Sequence, residues 1–108
     1  MSVSLPAAIA TYFEAADRAD TALLTQCFAP DAVVQDEGRT HRGHDAIAAW
    51  KIAARQKFDY TVEPIGVSAD GDHVIVAANV VGNFPGSPVQ LDHVFRLADD
   101  QIASLEIR

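Results

Sequence analysis

The sequence predicts an α+β domain: three helices ahead of a mostly antiparallel, strongly curved sheet. Three observations carry this. Apolar residues recur at helical spacing through most of the first 57 positions. From Phe58 onward the period changes to two. Turn signals at Asp70-Gly71, Pro85-Gly86-Ser87-Pro88 and Asp99-Asp100 divide that second half into consecutive strands, which segregates helices from sheet.

Ser4 is placed to cap the first helix, with Pro6 in its first turn. Leu5, Ile9, Tyr12, Phe13 and Ala16 form its apolar face, and Asp17, Arg18 and Asp20 end it. Asp20 then caps a short second helix with Leu23, Leu24, Cys27 and Phe28 on its apolar side, stopped by Pro30. A strand ending at Asp36 follows, then a turn at Gly38-Arg39 and the short segment Thr40-His41-Arg42. Gly43 opens an alanine-rich third helix whose inward stripe is Ile47, Trp50 and Ala54. Tyr60 and Val62 begin a strand running through Val67, in which Pro64 implies an edge or a bulge. A β-rich run from His73 to Phe84 comes next. Then Val89, Leu91, His93, Phe95 and Leu97 alternate on one strand face, and Ile102 to Ile107 forms the last strand.

Composition narrows the function classes. At 108 residues and 49% hydrophobic content the chain is one domain with one core. A net charge of -7 repels phosphate backbones and anionic headgroups, so neither nucleic acid nor membrane is an expected partner. The single cysteine, Cys27, excludes an internal disulfide and reads as a small core residue. With no basic-then-apolar leader and no run long enough to span a bilayer, a cytoplasmic location is expected. His41 and His44 lie across a turn with no third ligand type nearby, so they read as surface residues, and no metal or other cofactor is expected.

One residue stands out chemically. Ala32, Val34 and Asp36 share a face of the first strand, which puts a carboxylate among apolar groups. Such a group is costly to bury unless partnered, protonated or used. The element order, Phe28-Ala29-Pro30-Asp31-Ala32 leading into the first strand, Arg42-Gly43 before the third helix and Phe95-Arg96-Leu97 late in the chain resemble the NTF2-like superfamily. Within it, the chain is most similar to SnoaL-like proteins. The resemblance implies a cone of sheet wrapped on helices, on a fold that hosts isomerases, cyclases, dehydratases, epoxide hydrolases and non-catalytic modules. Tyr12 and Asp36 also match the helix-one tyrosine and strand-one aspartate of ketosteroid isomerase.

Taken with that resemblance, Asp36 is a candidate general base; the alternative is an exposed strand-end carboxylate bonded to its own turn. Tyr12 is a candidate oxyanion donor or an ordinary core tyrosine. The isomerase family also has an acid on the penultimate long strand that donates to the oxyanion; that position falls on Asp92 if acids are aligned, or on His93 if Phe95 and Leu97 are matched, and alternation favours His93. Trp50, Phe58, Tyr60, Phe84, Phe95 and Val34 are the expected lining of a hydrophobic pocket for a small apolar ligand. The expected activity is cofactor-free acid–base catalysis on a small apolar carbonyl or hydroxyl compound, and the alternative is a binding or interaction module. Valine-rich stretches at 74–76 and 80–81 exceed what one face needs, which points to a homodimer through the outer sheet face.

Overall fold

The computed structural model describes residues 5–108 except Ala19, with Arg18 described in its backbone alone; the expected Ser4 cap lies outside the described residues. Three helices, α1 (Ala7–Arg18), α2 (Thr21–Gln26) and α3 (Gly43–Lys57), pack against six strands. The strands are β1 (Phe28–Asp36), β2 (Arg39–Arg42), β3 (Tyr60–Asp70), β4 (His73–Gly82), β5 (Val89–Ala98) and β6 (Gln101–Ile107). They form one sheet in the order β2-β1-β6-β5-β4-β3. All neighbours are antiparallel except β1 and β6, which run parallel. The sheet is curved and unclosed, and this is the NTF2-like cone.

Local chemistry sets most boundaries. Asp20 caps α2 by accepting the Leu23 amide at 3.0 Å. Glu37 and Gly38, at φ of 53° and 74°, make the tight turn from β1 to β2, so the turn sits one residue earlier than Gly38-Arg39. Asp99 and Asp100 make a similar left-handed turn between β5 and β6. Pro64 sits on edge strand β3 beside a bulge at Ile65, where Pro64 pairs Ala78 and Gly66 pairs Ala77.

Two further sequence expectations shift. Phe28 belongs to β1 and not to α2: the helix ends at Cys27, whose N–H returns to the last turn, and Pro30 lies inside the strand. That proline is accommodated because β1 and β6 slip register between Phe28 and Val33. The β4 run ends at Gly82, two residues short of Phe84, and Asn83 then ties back to Asp59 through backbone and side chain.

The core lies between the helices and the inner sheet face. Ile9, Tyr12, Phe13, Leu24, Phe28, Val34, Ile47, Val76, Phe95, Ile102 and Leu105 are buried there. Tyr12 is its centre, edge-on to Phe13, Phe28 and Phe95 at 5.1, 5.9 and 5.5 Å between centroids. Cys27 is buried and donates its thiol to the Leu24 carbonyl, and burial pushes that thiol up to about 12.

Gly82 pairs with Tyr60 and lets the end of β4 approach the start of β3 closely. A Cβ at position 82 would lie 2.3 Å from the Asp59 carbonyl oxygen and 2.6 Å from the Tyr60 Cβ. Gly82→Ala therefore forces β3 away from β4. The expected cost is about 1–3 kcal/mol in denaturant unfolding, with loss of Tyr60's position. Wild-type stability in that variant would contradict the close approach.

Candidate functional site

Alternation along β1 puts Asp36 on the inner face with Ala32 and Val34, both fully buried. At the strand's last position Asp36 is half-buried, so its carboxylate is accessible without being freely solvated. The Trp50 indole donates to its Oδ2 at 3.1 Å. Trp50 reaches it from α3, and its ring also meets His41 of β2 at 5.9 Å. His41 and His44 are thus half-buried and engaged, not surface residues as expected: the His44 ring nitrogen donates to the Phe28 carbonyl at 2.9 Å. Among the described residues no group of three metal-ligating side chains occurs.

Sequence reasoning missed the residue at the centre of this cluster. Lys51 is only 4% exposed. Its Nζ sits 4.3 Å from the Trp50 ring centroid, 5.6 Å from Tyr12 and 5.8 Å from Tyr60. Among the described residues its amine makes one hydrogen bond, to the Tyr60 hydroxyl at 3.4 Å. Three electron-rich ring faces partly replace lost hydration. Burial still lowers the amine from 10.5 to about 8, Arg55 adds to that by like charge, and Asp36 opposes it. The signal was present: Lys51 lies four residues after Ile47, on the same helical face.

Arg55 lies one turn further along α3. It donates to the carbonyls of Ala16 and Tyr60, and its guanidinium stacks 4.2 Å from the Tyr60 ring centroid. It thereby fixes Tyr60 at the start of β3. The Tyr60 phenol is pushed up by burial, with Arg55 opposing and Asp36 reinforcing. The Tyr12 phenol is raised further, first by complete burial, then by Tyr60 and Asp36.

On β5 the histidine turns inward and the acid outward: His93 is 3% exposed and Asp92 lies on the solvent side. His93 stacks on Phe95 and meets the rings of Phe13 and Tyr12 at 5.2 and 6.2 Å. Among the described residues its Nδ1 has no hydrogen-bond partner and is buried. Burial lowers His93 to about 4, the Lys51 cation adds to this, and the Leu91 backbone opposes. The unfolded chain takes up this proton near 6.5 and the folded one near 4, so stability falls as pH drops between those values. His93→Leu is expected to remove that acid loss, with a higher urea midpoint than wild type at pH 5. A lower midpoint would mean that His93 is charged or bonded in the fold.

The other expected lining residues divide into groups. Val34 and Phe95 are fully buried core. Phe58 and Phe84 are half-buried and pack edge-on at 5.9 Å. No described contact joins that pair to Asp36, Tyr12 or His93. Two surface clefts, of about 230 and 460 Å³, lie along β1, β5 and β6 and include none of the expected site residues. Within the cluster Tyr12, Trp50, Lys51 and His93 are buried, while Asp36 and Tyr60 are half-buried.

The fold and the cluster define a small α+β cone with acid, amine and phenol groups gathered on its inner face. The chain belongs to the SnoaL-like domain family, which matches residues 9–105. It is 47% identical to a putative polyketide cyclase from Sinorhizobium meliloti, at TM-score 0.93 over 96% of this chain and 95% of that one. A Catenulispora acidiphila protein of ketosteroid isomerase-like fold, solved with trimethylamine, is 22% identical at TM-score 0.85, covering 97% and 86%. A Mycobacterium tuberculosis LEH-like epoxide hydrolase is 19% identical at TM-score 0.75, covering 94% and 79%. The last two likenesses concern the fold alone. No curated protein matches the sequence. No helix among the described residues is long and apolar enough to cross a membrane.

Proposed function

We propose that the protein is a cofactor-free acid–base catalyst acting on a small, largely apolar carbonyl compound of the polyketide-like kind. The supporting observation is the juxtaposition on the inner face: a half-buried carboxylate, Asp36, held by Trp50, within electrostatic reach of buried Lys51 and of Tyr12. Similarity to a putative polyketide cyclase adds the substrate class. In a cyclisation of this type Asp36 removes a proton from the carbon between two carbonyls. The electron pair moves onto oxygen as an enolate, and that carbon then attacks a second carbonyl of the same molecule. Lys51 and the phenols of Tyr12 and Tyr60 stabilise the oxyanion, which is the larger electrostatic contribution in an enclosed site. His93 supports the Tyr12 ring from β5 as an uncharged partner.

The test uses an aryl-capped linear 1,3,5-triketone, with cyclised product followed by liquid chromatography and mass spectrometry. The protein is expected to exceed the spontaneous rate, and Asp36→Asn to fall back to it. A wild-type rate no faster than the spontaneous one rejects catalysis of this class.

The second reading is a binding module for a small hydrophobic molecule. It is favoured by the dense packing of Phe13, Phe28 and Phe95 around Tyr12 and His93. It requires that the triketone bind without conversion, with affinity kept in Asp36→Asn and lost in Trp50→Ala. In either reading the working form is a cytoplasmic homodimer joined through the outer sheet face, where Ile75 and Val94 pair across β4 and β5 beside half-buried Val33. Light scattering on a sizing column is expected to give twice the 11.6 kDa chain mass, and a monomer mass would reject it.

A further inference from the structure

We infer that Lys51 is a nucleophilic amine that forms an imine with an aldehyde or ketone carbonyl, a step that rests on the carbonyl-substrate reading above and extends it to covalent catalysis.

The chain contains two lysines, Lys51 and Lys57, against six arginines. The one lysine placed inside the fold is therefore set apart from the way this sequence carries most of its positive charge. An arginine cannot give up its proton; a lysine can, and only the neutral amine attacks carbon. The surroundings favour that form. Nζ is enclosed by Tyr12, Trp50 and Tyr60, with the hydroxyl of Tyr60 at 3.4 Å. Arg55, one turn along and anchored to two carbonyls, supplies a second, fixed cation beside it. Desolvation together with a neighbouring cation is the arrangement that activates a lysine for Schiff-base chemistry. The lowering of this amine to about 8 agrees with the geometry. Tyr60, whose hydroxyl accepts from the amine, is itself half-buried at the start of edge strand β3.

The chemistry closes without a further reactant. The Lys51 nitrogen adds to the carbonyl carbon, and the former carbonyl oxygen takes up two protons and leaves as water. The resulting C=N bond, protonated, draws electrons from the adjacent carbon. Asp36 takes the proton from that carbon, and the C–H pair becomes the C=C of an enamine with the nitrogen lone pair restored. After the enamine carbon has attacked its electrophile, water hydrolyses the imine and frees the amine.

Two probes test this on the whole chain. With 2,4-pentanedione, a reactive amine condenses to a conjugated vinylogous amide that absorbs in the near ultraviolet. With cyclohexanone and borohydride, the imine is reduced to a stable secondary amine, located by peptide mapping. The expected result is one adduct on Lys51, formed at least tenfold faster than any on Lys57 or the N-terminus, and none at position 51 in Lys51→Arg. Its rate rises with pH through about 8. In that range Tyr12 on α1 and Tyr60 on β3 stay protonated and His93 on β5 stays neutral, while Arg55 on α3 and Asp36 on β1 face the amine. Adducts that form no faster on Lys51 than on Lys57, or none at all, overturn the proposal. So does Lys51→Arg that keeps wild-type cyclisation, since it retains charge without the nucleophile. Asp36→Asn separates the two claims: it is expected to abolish cyclisation and still trap at Lys51. Trapping without any cyclisation by wild type leaves the imine standing and rejects the cyclase reading.

Discussion

Asp36→Asn is expected to lower turnover of a carbonyl substrate by about 10²–10⁴-fold, the usual contribution of a positioned general base. The substitution is informative because it is nearly silent structurally. An asparagine carboxamide oxygen still accepts the Trp50 indole N–H that Asp36 Oδ2 accepts at 3.1 Å, so the ring keeps its place over Lys51. What disappears is the capacity to take a proton. Asp36→Ala differs: it strands the indole N–H in a part-buried setting and adds about 1–3 kcal/mol of destabilisation to the lost base. Glu37→Gln, exposed in the adjoining turn, is the matched control and is expected to leave the rate unchanged. A rate in Asp36→Asn within a few-fold of wild type would assign the base elsewhere.

Lys51→Met is expected to stabilise the fold while lowering activity. The fall of this amine from 10.5 to about 8 corresponds to about 3 kcal/mol of folding free energy at neutral pH. Below about 8 the amine is protonated in both folded and unfolded chains, so the full cost of burying the cation is present. Between about 8 and 10.5 only the unfolded chain holds the proton, so wild-type stability rises with pH across that window. Cys27 and the phenols act in the opposite direction, because their pKa values are raised in the fold; Cys27 does so from about 9 upward. The difference between wild type and Lys51→Met removes those shared contributions. A gain of about 1–3 kcal/mol at pH 7, shrinking to nothing by pH 10.5, is expected from urea unfolding after the lost cation–π contacts are offset. A variant less stable than wild type at pH 7 would mean that the buried amine is structurally favourable.

Such a stabilising substitution is the signature of a residue kept for chemistry. A methionine of similar length would fill the space between Tyr12, Trp50 and Tyr60 without a desolvated charge.

The architecture was legible because each element carries its own local signal. The Asp20 cap, the Pro64 edge and the Asp70-Gly71 turn act within a few residues of themselves, and the structure shows each of them. Alternation likewise fixed the facing of Asp36 and His93. Phe28 was misplaced because its apolar side chain suits a helix face and a buried strand equally, and the deciding event is the β1–β6 register slip, which is tertiary. Lys51 went unnoticed for a different reason. A lysine on a helix normally reads as solvated, and only the packing of α3 against α1 and β3 encloses this one. The inner volume also escaped sequence reasoning: Phe13, Phe28 and Phe95 fill space that apolar patterning alone could equally assign to an open pocket.

The most direct measurement is deuterium incorporation at the α-carbon of an aryl 1,3-diketone or a cyclic enone in D₂O, followed by proton NMR with catalytic protein. It reads proton abstraction itself, without waiting for ring closure or product release. General-base action by Asp36 predicts exchange well above the buffer rate with wild type, a return to the buffer rate in Asp36→Asn, and a reduced rate in Lys51→Met. Equal exchange by wild type and Asp36→Asn would contradict it.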